Sequence, residues 1–198
     1  MKTIGITGGI GSGKSTFCSM LEECGALLFN ADKVASRIME SDSEIRGQLV
    51  LLLGEEAYSK DGKLNRPFIS GRAFSEPVLL KRIESIVHPA VHATFNEAQE
   101  KARSSKCAAL IREAAIPPDK RTRSQLDVVV SVMADKELRM QRVMGRSALS
   151  REEVEARMSA QATDAEFIAS ADHVVWNNGS LQALREQAHT FWNEWVRP

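Results

Sequence analysis

The sequence predicts a doubly wound α/β fold built on a five-stranded parallel sheet. Three observations carry this expectation. The chain opens with a short apolar run, KTIGIT at residues 2–7, that ends in a glycine-rich stretch. A helical pattern follows at once, and a second apolar run begins after Gly25. Short apolar runs then return beyond residue 105, alternating with helical segments. Continuously apolar strands bounded by glycine suit a parallel sheet covered on both faces, and strand alternating with helix is the pattern of a doubly wound sheet.

In chain order, the first strand is read at residues 2–7, and the first helix starts near Lys14 with Phe17, Met20 and Leu21 at helical spacing. Gly25 stops it, and a second strand is expected over Ala26–Phe29. From about Val34 to Ser105 the strand signal is lost, so this block reads as a helical insertion with turns at Asp61-Gly62 and Pro67. Within it a helix is expected from Ser75 as N-cap, with Pro77 in its first turn and Leu79, Leu80, Ile83, Ile86 and Val87 inward. It should end near His88-Pro89, because the residue before a proline resists the helical region, and a separate helix should run over Ala90–Ala102. Strands resume at Cys107–Ile111 and Asp127–Val132, and Asp135 opens a helix carrying Leu138, Met140, Val143 and Met144. Ser150 and Glu153 have the spacing of a capping box for the next helix. The last strand is His173–Trp176, and the final helix starts at Ser180 with Leu181, Leu184, Ala188, Phe191, Trp192 and Trp195 on one face.

A chain of 198 residues, 43% hydrophobic and 26% charged, is long enough for one domain with a substantial core. Its 26 basic and 26 acidic residues cancel, which gives no sign of the basic excess expected of a nucleic-acid partner. The three cysteines, Cys18, Cys24 and Cys107, are not spaced as metal ligands and sit in or beside apolar segments, so they read as buried free thiols of a reducing compartment. No secretory signal or membrane span is read, and the expected location is cytoplasmic.

The sharpest local signal is Gly8-Gly9-Ile10-Gly11-Ser12-Gly13-Lys14-Ser15, followed by Thr16. Glycines at these positions let consecutive backbone N–H groups turn inward as a cradle for phosphates, and the helix that follows aims its positive end at the same point. Lys14 is expected to reach the β- and γ-phosphates, and the Ser15 hydroxyl to ligate Mg²⁺. The motif follows a strand and opens a helix, the context in which it indicates nucleoside triphosphate binding. Asp32 lies just past the second strand, where a carboxylate can orient an attacking hydroxyl or simply cap a helix. Arg142 and Arg146, one helical turn apart, share a face that suits either a phosphate-covering lid or a solvated surface.

Over nearly its whole length the sequence resembles the dephospho-coenzyme A kinase family. The resemblance rests on TGGIGSGKST at Thr7–Thr16, Asn30-Ala31-Asp32, Asp61 to Arg66 before Phe74, Ile83 to Pro89, Arg142 and Arg146, Gln161, Ala171-Asp172, and Asn177-Asn178-Gly179. It implies a three-layer P-loop kinase fold with a core of about residues 1–36, 105–141 and 160–198, a helical acceptor-binding insertion at 37–104 and a lid at 142–159. It further implies transfer of the γ-phosphoryl group of ATP, with Mg²⁺, to the ribose 3′-hydroxyl of dephospho-coenzyme A. Asp32 matches the catalytic carboxylate, with Lys14, Arg142 and Arg146 as the other catalytic groups. Gly9 to Thr16, Asn177 and Gly179 would hold the nucleotide, and Asp32, Arg66, Phe74 and His88 the acceptor. The expected partners are these small molecules, with no nucleic acid or membrane, and the chain is expected to be a monomer or small homo-oligomer.

This sequence departs from the family pattern at Asn30 (commonly Asp), Ser36 (often Arg), Ala115 to Asp119 (commonly a Pro-Leu-Leu run ending in Glu) and Arg139 (often Gln). Glu113 and Asp119 are candidate replacements for the missing glutamate. A kinase for a nucleoside or sugar shares the loop but would not be expected to carry the His88-Pro89 block. A guanine-nucleotide switch should show an N-K-x-D motif, and the sequence has none.

Overall fold

The structure, a computed structural model, describes residues 1–197, with the side chains at 73–75 and 77 outside the description. The strands are β1 (Lys2–Thr7), β2 (Ala26–Asn30), β3 (Ala109–Glu113), β4 (Val128–Met133) and β5 (His173–Trp176). The helices are α1 (Lys14–Glu23), α2 (Ala31–Ser41), α3 (Ser43–Leu53), α4 (Arg66–Ser75), α5 (Pro77–Ser104), α6 (Lys120–Arg123), α7 (Lys136–Arg146), α8 (Arg151–Ser159), α9 (Asp164–Ala169) and α10 (Leu181–Trp195), with one 3₁₀ turn at Glu55–Ala57. The chain forms two compact units, one of Met1–Asn30 with the chain from Gln99 onward, the other of Ala31–Ala98.

In the first unit every strand pairing is parallel, in the order β2-β3-β1-β4-β5. Ile4 pairs with Ile111 on one side of β1, and Ile6 with Val130 on the other. All six residues of β4 are buried, which explains its unbroken apolar run. The chain leaves β1 toward β3 and β2 on one side and toward β4 and β5 on the other. That reversal creates a crevice at the carboxyl ends of the strands, where ligands of such sheets bind. One face of the sheet packs Ile4, Ile6, Ile111, Val130 and Val132 against Phe17 and Leu21 of α1 and Leu184, Phe191 and Trp192 of α10. Phe191 lies 6.2 Å from Phe17 between ring centroids, tying the two helices together. On the other side, Gln99 of α5 donates to Thr3 Oγ1 at 3.4 Å and to the Gln125 carbonyl at 3.3 Å. This is the expected doubly wound five-stranded sheet.

In the second unit, α2 and α3 meet through an Asp42 cap that accepts from Glu44 N–H and Ile45 N–H, both at 3.0 Å. Tyr58 donates its hydroxyl to the Met39 carbonyl at 2.7 Å, and Arg46 stacks over the Tyr58 ring at 4.3 Å. Asn65 caps α4, whose second residue is Pro67.

Several local expectations are corrected. The helix expected to end at Pro89 is one 28-residue helix with that proline inside it. Leu79, Ile83, Val87, Val91 and Phe95 are all buried and recur every fourth residue across the proline, so one continuous stripe outweighs the lost N–H. Ser75 does not cap this helix but closes α4, and α5 starts at Pro77, where a missing N–H costs nothing. β3 starts two residues later than expected because Lys106 is in the left-handed region at φ 56° and the chain is still turning there. Leu80, Met144, Leu181 and Trp195 are exposed, being at the margins of their helical faces. Of the three free thiols only Cys18 is buried; Cys24 and Cys107 flank the turns leading into β2 and β3 and are half-buried. Burial first, and the nearby Glu113 carboxylate second, push the Cys18 thiol well above its usual range. Among the described residues, no helix is long and apolar enough to cross a membrane.

Phe191 is 1% exposed at the junction of α1 and α10. Phe191→Ala should destabilise the fold by about 3–5 kcal/mol, read as a lower midpoint in chemical denaturation. A loss under ~1 kcal/mol would show that this contact is not central to the core.

Candidate active site

The loop between β1 and α1 occupies the crevice end of the sheet. Gly13 precedes α1 with φ 98°, and a Cβ there would lie 2.2 Å from Asn177 Nδ2, so only glycine fits. Ser12 N–H donates to the Gly9 carbonyl at 3.2 Å, closing the outer turn of the loop. The Lys14 ammonium folds back on the same turn, donating to the carbonyls of Gly8 at 2.6 Å and Gly9 at 3.2 Å.

Ser15 donates its hydroxyl to Glu113 Oε1 at 2.8 Å, while Asn30 Nδ2 donates to Glu113 Oε2 at 2.7 Å. Glu113 ends β3 and is only 4% exposed. Its burial is tolerable because both oxygens are hydrogen-bonded. The register of the sheet sets this up, since Glu113 pairs with Ile6 of β1 and Asn30 of β2. With its hydrogen directed at Glu113, the Ser15 oxygen keeps lone pairs to offer a cation. Of the two candidate replacements for the family's glutamate, Glu113 touches the loop, and Asp119 caps α6 by accepting from Thr122 N–H at 2.7 Å.

Asn177, just past β5, is 6% exposed and does more than turn the chain. Its Nδ2 donates to the Ser12 carbonyl at 2.7 Å, and its own carbonyl accepts from Arg142 Nη2 at 2.9 Å. Asn177 therefore links the loop to α7. Beside it a cavity of about 310 Å³ is lined by Gly11, Gly13, Thr16, Arg142, Arg146, Asn177 and Gly179, with Leu181 and Leu184 as its apolar wall. The sequence-predicted nucleotide residues and both arginines thus come together in the first unit. Nη1 of Arg142 is buried with no hydrogen-bond partner among the described residues, a donor available to an anionic ligand.

α7 and α8 form a hairpin with its own small core of Met140, Val143, Val154 and Met158, against which Ile10 of the loop packs. The Ser150–Glu153 capping box opens α8 as expected. Arg151 pairs with Glu137 through two hydrogen bonds, at 3.0 and 2.8 Å. Chiefly through that bonding it holds the Glu137 carboxyl below the usual range, so the pair supports the hairpin at neutral pH and this support is lost as pH falls through the lowered value. Being exposed, it contributes little.

Asp32, Arg66 and His88 belong to the second unit. Asp32 is exposed in the first turn of α2, inside the helix rather than at its cap. Arg66 is the exposed first residue of α4, and His88 is half-buried in α5. The Phe74 side chain lies outside the described residues. Gln161 accepts from the Ile10 N–H at 2.7 Å, so it serves the loop. Asp172 accepts from Arg123 and from the Val129 N–H, a tie between α6 and β4. Sequence reasoning missed the approach of the Arg139 guanidinium to Gly9, where a Cβ would come within 2.7 Å of Nη1; the one available signal was a charged residue on the buried face of α7.

A phosphate-binding loop at the crevice of a parallel five-stranded sheet, with half-buried Arg142 and exposed Arg146 on the cavity beside it, defines a P-loop kinase. The model of the dephospho-CoA kinase family matches residues 2–183. A dephospho-CoA kinase of Salinibacter ruber is 38% identical over 193 residues, 97% of each chain. A Thermus thermophilus protein of known crystal structure aligns with a TM-score of 0.81 at 34% identity, over 98% of this chain and 97% of that one. The dephospho-CoA kinase from Campylobacter jejuni, at 24% identity, shares the fold with a TM-score of 0.71 over 100% of this chain and 98% of its own. The chain belongs to the dephospho-CoA kinase family, and it is a phosphoryl-transferring enzyme.

Asn177→Ala removes the link between Ser12 and Arg142. ATP affinity measured by calorimetry should fall about tenfold, roughly 1.4 kcal/mol, the scale of one lost buried hydrogen bond. Unchanged affinity would limit Asn177 to a turn residue.

Proposed function

We propose that the chain transfers the γ-phosphoryl group of ATP to the ribose 3′-hydroxyl of dephospho-coenzyme A, giving coenzyme A and ADP, the last step of coenzyme A biosynthesis. The observation that carries this is the phosphate-binding loop, with Ser15 held by buried Glu113, inside a chain that the family matches over residues 2–183.

Phosphoryl transfer depends mainly on positioning and charge stabilisation. The amides of Gly9 to Thr16 and the start of α1 receive the phosphates. Lys14 exchanges its carbonyl contacts with Gly8 and Gly9 for β- and γ-phosphate oxygens. Arg142 and Arg146, on the cavity wall, neutralise charge that builds on the transferred group. Asn177 and Gly179 border the place for the adenine. Asp32, exposed two residues beyond β2, orients the acceptor hydroxyl, and Arg66, Phe74 and His88 hold the rest of the acceptor. The residues also fit Mg²⁺: Ser15 supplies a hydroxyl oxygen, and Glu113 a buried carboxylate that fixes its direction. Bound there, the ion would draw charge from the β- and γ-phosphates.

In this reading residues 37–104 are the acceptor-binding insertion, 142–159 the lid, and 1–36, 105–141 and 160–198 the core. The enzyme works on two small-molecule substrates in the cytoplasm, as a monomer or small homo-oligomer.

A coupled ADP-release assay should show turnover with dephospho-coenzyme A and little with nucleosides or sugars. Absence of turnover that depends on dephospho-coenzyme A would overturn the proposal. Asp32→Asn should keep ATP binding but lose ~2–4 orders of magnitude in rate, the scale of a positioned acid or base. Lys14→Ala should weaken ATP binding as well as rate, and an unchanged ATP affinity would contradict its role.

A further inference from the structure

Arg139 is buried, yet nothing in phosphate binding by the loop amides, Lys14 or the two cavity arginines requires it. Its side chain is 7% exposed and pairs with Asp164 Oδ1 at 2.8 Å, where Asp164 is 53% exposed. The guanidinium fills the space beside Gly9. A Cβ added at Gly9 would meet Nη1 at 2.7 Å, Cζ at 3.0 Å and Nη2 at 3.1 Å. The neighbouring residue is held from the same side, since the Ile10 N–H donates to Gln161 Oε1 at 2.7 Å and its side chain packs on the α7–α8 core. The outer turn of the loop, closed by Ser12 N–H on the Gly9 carbonyl, therefore rests on three supports from beyond β4.

A buried guanidinium with one exposed partner is a costly way to fill space, and an apolar side chain of similar volume would pack there more cheaply. What a guanidinium adds is a rigid group that fills the space beside Gly9, together with a fixed positive charge next to an anion-binding loop.

We propose that Arg139, aligned by Asp164, is a positioning residue for ATP, which sets the loop backbone at Gly9 and through it the amides that receive the phosphates. This rests on the reading of the loop as the ATP site. Arg139 acts through the loop and touches no reacting atom, so its removal should affect the nucleotide and spare the acceptor.

The test compares Arg139→Met, Asp164→Asn and the double variant with the unaltered chain, by calorimetric titration with a non-hydrolysable ATP analogue and Mg²⁺ and by steady-state kinetics. Arg139→Met should raise the analogue Kd and the KM for ATP by about tenfold, the scale of a lost charged contact, while the KM for dephospho-coenzyme A stays within about twofold. Asp164→Asn, on a carboxylate 53% exposed at the start of α9, should give a smaller rise of the same kind. The double variant should be no worse than Arg139→Met alone, because Asp164 acts only through Arg139. If Arg139→Met does not fold, the Asp164→Asn result decides. An unchanged nucleotide Kd, or equal losses for both substrates, overturns the positioning role and leaves the ATP site standing. Failure of the unaltered chain to bind the analogue overturns both.

Discussion

Glu113 is the carboxylate around which the phosphate end of the sheet is organised. It ends β3, accepts from Ser15 on α1 and from Asn30 on β2, and is almost fully buried. A carboxylate taken out of water is stable only when its oxygens are satisfied, so its two donors are constrained in return. Ser15 must keep its hydrogen on Glu113, which fixes the direction of its lone pairs, and Asn30 must present its amide. The neutral Asn30 suits this arrangement, because a second carboxylate at 2.7 Å would have to share a proton with the first.

From that node the loop is held on successive sides. Asn177 grips the Ser12 carbonyl from the end of β5 and passes the connection to Arg142, while Arg139 and Gln161 support Gly9 and Ile10. Each contact alone is modest, about 1 kcal/mol for a net hydrogen bond. Their combined effect is preorganisation: loop dipoles fixed before the phosphates arrive need no further ordering during the reaction. The apolar layer of α1, α10 and the sheet provides the rigid base, and the exposed ion pairs of the α7–α8 hairpin add little to it.

Much of this was legible in the sequence because it is local. The five strands are short apolar runs, read to within two residues at their ends, and the loop is a contiguous motif between a strand and a helix. The capping box at Ser150 follows from spacing alone, and the start of the last helix at Ser180 was legible too. Other features depend on distant parts of the chain. Pro89 reads locally as a helix end, and only the burial of Leu79 to Phe95 on one stripe overrides that reading. Glu113 reaches Ser15 through a strand register linking residues 98 positions apart. The hydrogen bond from Asn177 to Ser12 joins residues 165 positions apart, which no local pattern shows. Arg139 on the buried face of α7 signals a charge held inside, but nothing local points to Gly9 as its neighbour.

The most direct test of the account is Glu113→Gln. The substitution keeps size and shape, and Asn30 can rotate its amide to meet the new side chain, so the fold is retained while the charge is removed. Turnover with dephospho-coenzyme A should fall about 10²-fold or more, with a higher Mg²⁺ concentration for half-maximal rate and near-normal binding of metal-free ATP. Wild-type turnover with unchanged Mg²⁺ dependence would contradict it.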